Sequence, residues 1–234
     1  VLLCGGVYVV TSTDRQQINI DRMIYYAHVT EKKVRDTRNE GYEFYNREQW
    51  EKRKQVAEVI NHLPSAIRSG SLYVWYQPQV NYETGKITGA EALCRWDHDQ
   101  LGFLYPSDFI TVLEESGLIY DLDCFVWDKV CQDLHRWNEQ GIRRSVSVNV
   151  SRCDIREDRD IPGQFSRLIQ KYGITPDQLR IEITETAFAE NPDLLISNTN
   201  KLRELGFQVE MDDFGSGYSS LHMLKEVPVD RIKL

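Results

Sequence analysis

The sequence has little of what marks several large protein classes. Its 234 residues contain no apolar run of about 18 residues, the length that a membrane-spanning helix needs. Its 28 Lys and Arg are outnumbered by 36 Asp and Glu, which gives a net charge of −8. Proteins that bind nucleic acid non-specifically have the opposite sign. We therefore expect no membrane segment in this chain, and neither DNA nor RNA as a partner.

Cysteine and histidine are present without the spacing that would give them a function. The five cysteines are odd in number and form no CxxC pair, which argues against a disulfide framework and against a thiolate zinc site. A reducing compartment is expected. The five histidines have no HxxxH or HExxH spacing, so each is predicted to be a surface or half-buried residue; they are His28, His62, His98, His135 and His222.

The first residues have neither an initiator Met nor the charged region of a signal peptide. We expect the chain to be a piece of a longer protein.

Three segments are predicted. Residues 1–46 combine a β-branched strand at 1–11, a helix at 21–33 and a short extended piece at 42–45, typical of a small α/β remnant. Residues 47–70 form an amphipathic connecting helix that ends at Gly70, with Pro64 kinking or dividing it.

Residues 71–234 alternate short apolar strands with amphipathic helices, which indicates parallel βα units. Strands are predicted at 72–80, 87–94, 145–150, 179–184, 207–211 and 231–234. Helices are predicted at 106–116 and 123–140, around 165–172 and around 195–205. With no dinucleotide-binding glycine pattern, the fold class is α/β, a (β/α)₈ TIM-like barrel truncated after about six strands.

Polar residues follow the predicted strand ends, where barrels of this type place their chemistry. They are Glu91, Asn149, Glu182, Asp212, Asp213 and Lys233. Carboxylates that face one another raise each other's pKa, and a divalent cation relieves that repulsion. Oxygen ligands without Cys or His favour Mg²⁺, Mn²⁺ or Ca²⁺. The adjacent Asp212 and Asp213 suggest two ions, which would suit an in-line displacement at phosphorus, with Lys233 orienting water or offsetting charge.

Simpler interpretations stay open. Any one of these acids is more often a solvated carboxylate or a helix cap, and Asp212-Asp213-Phe214-Gly215 alone can be a capping turn. Arg95 is either a surface partner of Glu91 or a phosphate clamp. Six polar groups at the ends of five strands are harder to explain without function.

The motifs resemble those of a known family across the whole stretch 71–234. They are YQP at 76–78, EALCRW at 91–96, a Pro106 helix with Glu114-Glu115, SVNVS at 147–151, EITE at 182–185, DDFGSGYSSL at 212–221 and DRIKL at 230–234. This region resembles an EAL domain, the bacterial phosphodiesterase module for cyclic di-GMP.

The resemblance implies a role for each matching position. Glu91, Asn149, Glu182 and Asp212 bind one metal ion, and Asp212 with Asp213 serves a second, the ions being Mg²⁺ or Mn²⁺. Lys233 positions the attacking water. Gln77, Leu93 and Arg95 contact the dinucleotide, and Glu185 holds the loop that begins at the DDFG motif. The implied reaction converts cyclic di-GMP to linear pGpG.

Residues 1–46 are similar, more loosely, to the C-terminal end of a GGDEF domain, the diguanylate cyclase module. Gly6-Val7-Tyr8-Val9 corresponds to a late strand, and Tyr25 to Tyr42 to the closing helix and turn. The pair Gly5-Gly6 is not the GGDEF signature.

The EAL family has a further metal-binding Glu, a substrate-contacting Gln and two strands beyond the position of Leu234. Two other functions therefore stay open, a receptor that binds cyclic di-GMP without turnover and an interaction scaffold. A homodimer through the barrel or the connecting helix is compatible with the sequence. The resemblance implies a bacterial cytoplasmic protein whose parent could be tethered to a membrane through other segments.

Overall fold

The computed structural model of the chain describes residues 4–12, 14, 18–36, 41–215 and 227–233. It divides into two compact units, Val1–Ala57 and Glu58–Leu234. None of the helices in these described ranges is both long and apolar enough to cross a membrane.

The first unit contains a parallel pair of short strands, β1 (Cys4–Val7) and β2 (Gly41–Phe44), and helix α1 (Ile20–Asp36). Helix α2 (Arg47–Ser69) begins in this unit. Its small core is aromatic: the ring of Tyr26 stacks on that of Tyr45 at 4.4 Å and meets the edge of Trp50. A side chain at Gly6 would collide with the backbone of Ala27, so the closeness of β1 to α1 requires glycine there.

The second unit is built on a seven-stranded sheet with the strand order β3-β4-β6-β7-β8-β9, to which β5 adds by pairing with β4. The strands are β3 (Leu72–Val80), β4 (Ile87–His98), β5 (Gly102–Leu104), β6 (Val146–Val150), β7 (Leu179–Thr184), β8 (Gln208–Asp212) and β9 (Arg231–Ile232). The pairs from β4–β6 through β8–β9 are parallel. This is the parallel-rich α/β architecture predicted for part of a TIM-like barrel.

Helices cover the outside of this sheet and are amphipathic. They are α3 (Pro106–Ser116), α4 (Ile119–Glu139), α5 (Ile161–Tyr172), α6 (Glu185–Glu190) and α7 (Pro192–Glu204). Between them and the sheet lies a core of fully buried side chains, in which the ring centroids of Trp127 and Phe165 are 4.7 Å apart. The C-terminal half of α2 joins this core through Val59 and Leu63. The apolar stripe of each helix is therefore buried as its sequence period predicts.

The structure corrects several boundaries. The first two strands of the second unit, β3 and β4, are antiparallel and not a parallel βα unit, because a short turn closed by Asn81 and Gly85 joins them directly. Strand β4 continues to His98, and the short β5 was not predicted. Helix α4 begins at Ile119 instead of 123, and α2 is one continuous helix despite Pro64. The predicted strand end at Leu234 lies outside the described residues.

Candidate active site

Three carboxylates from three different strands meet at the carboxyl edge of the sheet. They belong to Glu91 on β4, Glu182 on β7 and Asp212 on β8, and one oxygen of each lies within 4.8 Å of the other two. Parallel strands bring their carboxyl ends to one edge, so residues 121 positions apart in sequence become neighbours. The convergence predicted from strand ends is thus present for these three acids.

Lys233, directly after β9, lies among these acids. Its Nζ donates to Glu182 at 2.7 Å, to Glu91 at 2.9 Å and to Asp212 at 3.2 Å. Register with β8 fixes its position, because the Lys233 backbone N–H donates to the Met211 carbonyl. One ammonium therefore faces three carboxylates, and the cluster keeps an excess of negative charge.

Asn149, near the end of β6, contacts one of these acids. Its Nδ2 donates to Glu91 Oε1 at 3.3 Å. The backbone carbonyl of Asn149 accepts a hydrogen bond from the indole of the fully buried Trp127 at 2.9 Å. A helix of the outer layer therefore holds the end of β6, and with it the Asn149 amide.

The pKa shifts in the cluster are those of an anionic site in which carboxylates outnumber positive charges. Burial raises the pKa of Glu182, and the Glu91 carboxylate raises it further, against the hydrogen bond from Lys233. Burial alone would lower the pKa of Lys233, but its hydrogen bonds to Glu182 and Glu91 outweigh that effect and raise the pKa. Lys233 is thus charged at neutral pH, while ionisation of Glu182 is opposed.

Asp213 lies beside the cluster in a backbone conformation that few residues other than glycine adopt. Its φ is 55°, and its backbone N–H donates to Asp212 Oδ1 at 2.9 Å. Its side chain is exposed. A left-handed residue at such a position stores strain that is often found at functional sites.

The predicted substrate-contacting residues lie on the antiparallel hairpin beside the cluster. Gln77 on β3 is opposite Glu91 on β4, and Leu93 follows two positions further along β4. Arg95 makes no salt bridge to Glu91 in the described part of the chain; its guanidinium lies over the rings of Trp75 and Tyr105. The interpretation of Arg95 as a surface partner of Glu91 is therefore wrong.

Glu185, buried at the start of α6, accepts a hydrogen bond from the Gly215 backbone N–H at 3.1 Å. Gly215 belongs to the DDFG motif that opens the loop expected to be held by this glutamate. The remainder of the motif, 216–221, lies outside the described residues.

A cavity of about 210 Å³ lies between β4, β6 and helices α3 and α4, and its lining includes Asn149 but none of the three clustered carboxylates. Leu93, Pro106 and Ile110 form apolar walls, while Asn149, Glu114 and Asp123 supply polar groups. A mostly apolar pocket with a few polar groups is the usual form of a small-molecule site.

The cluster has the chemistry that a hard divalent cation requires. Its ligands are carboxylate and amide oxygens, which suit Mg²⁺ or Mn²⁺ and not zinc. Oε1 of Glu182 is buried and makes no hydrogen bond among the described residues. A buried carboxylate oxygen without a donor is unfavourable, and a cation would satisfy it.

A second group of possible metal ligands does not fit a metal. Glu58, His62 and His98 lie close together, and His98 is only 3% exposed, so its prediction as a surface or half-buried residue is wrong. Two backbone N–H groups, of Gln100 and Leu101, donate to His98 Nδ1. That pattern leaves the proton on Nε2, where it blocks coordination.

Sequence reasoning missed a second charged layer beneath the cluster. The guanidinium groups of Arg180 on β7 and Arg231 on β9 both pair with Glu210 on β8, at 3.2 and 3.1 Å. Arg180 and Glu210 are buried. Charged residues inside otherwise apolar strands were the available signal.

Fold and site together define a class, the α/β barrels with an acidic cation site at the carboxyl edge of the sheet. Residues 60–234 match the model of the EAL domain, and the chain belongs to this family.

Relatives support the assignment over most of the chain. The oxygen sensor protein DosP of Escherichia coli is 35% identical over 92% of the chain, and the cyclic di-GMP phosphodiesterase PdeR of the same species is 36% identical over 74%. The chain spans 27% and 26% of their respective lengths.

Among solved structures, the PaMucR phosphodiesterase in complex with c-di-GMP superposes with a TM-score of 0.70 at 29% identity. The alignment covers 75% of this chain and 71% of that one. The FimX EAL domain from Pseudomonas aeruginosa bound to c-di-GMP has a TM-score of 0.67, covers 76% of this chain and 71% of that one, and at 21% identity is evidence for the fold alone.

Proposed function

We propose that this chain is the hydrolytic domain of a cyclic di-GMP phosphodiesterase that uses Mg²⁺ or Mn²⁺. The observation that carries the proposal is the meeting of Glu91, Glu182 and Asp212 within 4.8 Å of one another. Among the described residues, Lys233 is the ammonium that faces them. Names of relatives support the substrate: PdeR is a cyclic di-GMP phosphodiesterase, and the PaMucR structure holds c-di-GMP.

Each residue of the cluster has a defined task in this proposal. Glu91, Asn149, Glu182 and Asp212 hold one ion, and Asp212 with the adjacent Asp213 holds a second. Bound there, the two ions would supply Lewis-acid stabilisation of the charge that develops on the phosphate oxygens and lower the pKa of water. The excess of negative charge and the unsatisfied Glu182 oxygen support this assignment.

The reaction is a hydrolysis in which one water molecule is consumed. The water oxygen forms a bond to phosphorus, the bond from phosphorus to the ribose O3′ breaks, and O3′ takes up a proton, which gives linear pGpG. Lys233 orients the water and offsets charge, since its raised pKa keeps the ammonium protonated. Gln77, Leu93 and Arg95 bind the dinucleotide, and Glu185 holds the loop that starts at Gly215.

The test is detection of pGpG after the whole protein is incubated with cyclic di-GMP and Mg²⁺. Glu91→Ala removes a metal ligand and is expected to abolish turnover. Glu83→Ala, on the exposed turn between β3 and β4, is the matched control and is expected to keep the wild-type rate. Full activity of Glu91→Ala would contradict the site; binding of cyclic di-GMP without turnover by the wild type would make the protein a receptor.

We further propose that the first unit corresponds to the C-terminal end of a GGDEF domain. Its short strand, long helix and closing strand support this, and MucR, a bifunctional diguanylate cyclase/cyclic di-GMP phosphodiesterase of Pseudomonas aeruginosa, is 28% identical over 93% of the chain. A bacterial cytoplasmic location belongs to the same proposal and is supported by Cys94, Cys124, Cys131 and Cys153, which form no disulfide in the described part of the chain. Dimerisation stays a prediction, testable by light scattering.

A further inference from the structure

An exposed group of aromatic side chains lies on the hairpin beside the carboxylate cluster. It consists of Trp75 on β3, Phe103 on β5 and Tyr105 directly after β5, and we call these three residues the aromatic platform. Their side chains are 51%, 38% and 55% exposed, respectively. Ring centroids are 5.9 Å apart for Trp75 and Phe103 and 5.1 Å apart for Phe103 and Tyr105. Large apolar surface that stays in contact with water usually marks a binding site.

The platform faces the same side of the sheet as the candidate active site. In the β3–β4 pair, Gln77 is opposite Glu91 and Trp75 is opposite Leu93. Alternate residues of a strand point to the same face, so Trp75 shares the face of Gln77 and Glu91. Tyr76 points the other way, where its hydroxyl donates to Asp133 on α4 and its ring meets Trp137.

The distance from the platform to the cluster suits a nucleotide. Two residues along a strand advance about 7 Å, so the indole of Trp75 lies roughly one such step beyond the position opposite Glu91. A base whose phosphate is at the carboxylate cluster can reach this ring. Strand β3 runs antiparallel to β4, which places Trp75 toward the carboxyl edge and not toward the far end of the barrel.

Arg95 lies against the aromatic platform and supplies a positive charge that can bind a phosphate. Its guanidinium carbon lies 5.1 Å from the Trp75 ring centroid and 5.8 Å from that of Tyr105, and its Nη1 donates to the Cys94 carbonyl at 2.8 Å. Nε of Arg95 is buried and has no hydrogen-bond partner among the described residues. Cation–π attraction to both rings keeps a positive charge beside aromatic surface in a chain of net charge −8.

We propose that Trp75 is a specificity-determining residue whose indole stacks on one guanine base of the bound cyclic dinucleotide, with Arg95 held by the platform beside a phosphate. The proposal rests on the function proposed above and adds a base-binding surface to it. A planar purine fits the flat face of the Trp75 indole, to which the Phe103 ring is tilted by 42°, while Tyr105 is edge-on to Phe103 at 79°. Stacking on such an exposed ring contributes to binding whatever the edge contacts of the base.

The experiment compares Trp75→Ala, Trp75→Phe and the control Tyr82→Ala in the whole protein. Tyr82 is a fully exposed aromatic residue on the turn at the other end of the same hairpin. We expect Trp75→Ala to raise the KM for cyclic di-GMP about tenfold, with kcat within about twofold of the wild type. Trp75→Phe should keep KM within about threefold, since a ring remains, and Tyr82→Ala should change neither constant.

A second readout does not depend on turnover. Cyclic di-GMP should quench the tryptophan emission of the wild type, and Trp75→Phe should lose most of that quenching while it still binds. This variant retains an aromatic ring, so it also tests the proposal if Trp75→Ala does not fold.

The outcomes separate this proposal from the function on which it rests. A wild type that neither binds nor hydrolyses cyclic di-GMP overturns the function and the platform with it. An active wild type with an unchanged KM in Trp75→Ala, or with full quenching in Trp75→Phe, overturns the platform alone. If Trp75→Ala keeps its KM and changes the mass in solution, the platform is an interface between copies and the proposal is wrong.

Discussion

Two layers of charged side chains differ in their balance of positive and negative charge. Both layers are formed by strands β7 and β8 and the segment 231–233. Each of these contributes one charged residue to the lower layer and another, two positions further along the chain, to the upper layer. In the lower layer, Arg180 and Arg231 face Glu210, so two cations surround one anion. In the upper layer, Lys233 faces Glu182, Asp212 and Glu91, so three anions share one cation. The lower arrangement stabilises the fold without a further cation. The upper arrangement has more negative than positive charge, which an additional cation would neutralise.

The surroundings of each layer include contacts that hold it and one buried atom without a hydrogen bond among the described residues. Glu210 accepts bonds from both arginines, and Gly89 leaves space for the Arg180 guanidinium, since a side chain there would collide with it. In the upper layer a buried oxygen of Glu182 finds no donor, and in the lower layer the buried Nε of Arg180 finds no acceptor, among the described residues. The two layers therefore differ in their balance of charge and not in whether every buried polar atom is satisfied.

The largest expected effect comes from the upper layer. Glu182→Gln keeps the size of the side chain and removes its charge, so turnover of cyclic di-GMP should fall at least about 10³-fold through loss of a metal ligand. Its free energy of unfolding in EDTA should not fall, because burial and Glu91 disfavour the Glu182 carboxylate. Chromatography of pGpG and urea unfolding measure the two quantities. A variant that keeps its rate, or that loses stability in EDTA, would remove the distinction between the layers.

The lower layer should show the reverse. Arg180→Leu leaves Glu210 buried with only Arg231, so the free energy of unfolding should fall by about 3–5 kcal/mol, as for one partner removed from a buried pair. Arg143→Leu is the matched control, since its ion pair with Asp177 has both side chains about 60% exposed, and should cost no more than about 1 kcal/mol. Equal losses in the two variants, read from urea unfolding, would show that burial does not set the strength of the lower pair.

Mg²⁺ should stabilise the protein through the upper layer only. At a concentration of 100 times its Kd, a ligand that binds the folded state alone adds about 2.7 kcal/mol to the free energy of unfolding. The wild type and the exposed control Glu83→Gln should gain this stabilisation, and Glu182→Gln should lose it. Thermal unfolding with and without Mg²⁺ measures the gain; an equal gain in Glu182→Gln would assign the ion to another place.

The sequence predicted the upper layer because its residues stand inside recognisable motifs and, for Asp212 and Lys233, at or just after a strand end; Glu91 lies within β4. Helix α3 and strand β7 agree with their predicted bounds, since a proline start, a glycine end and an apolar run mark them clearly. The hairpin β3–β4 was missed although Asn81 and Gly85 between two apolar runs are a turn signal. The lower layer was missed because nothing local says that Arg180, Glu210 and Arg231 share a register; only the parallel pairing of three strands brings them together.

Asp123 on α4 is a further buried acid, and it has no salt bridge among the described residues. Burial, the neighbouring carboxyl of Asp154 and the charge of Glu114 raise its pKa well above the usual range, against a bond from the Ser151 backbone N–H. Asp154, by contrast, has Arg159 at 2.8 Å. Asp154 is therefore accommodated by an arginine, Asp123 by a proton and, in the proposal above, Glu182 by a divalent ion.

The smallest of the expected effects follows from the proton on Asp123. An unfolded aspartate ionises near pH 4, whereas the folded one stays protonated to a higher pH, so unfolding releases a proton between the two values. The free energy of unfolding should therefore fall as pH rises from about 4 through the raised pKa, by at most about 1.4 kcal/mol per pH unit for this one group.

Asp123→Asn keeps an oxygen for Ser151 and should flatten that part of the pH profile, while Asp99→Asn, on an exposed turn, should leave it unchanged. Urea unfolding at a series of pH values gives the slope; an Asp123→Asn profile parallel to that of the wild type would mean that the folded protein holds Asp123 ionised, and that Arg159 serves both carboxyls of the pair.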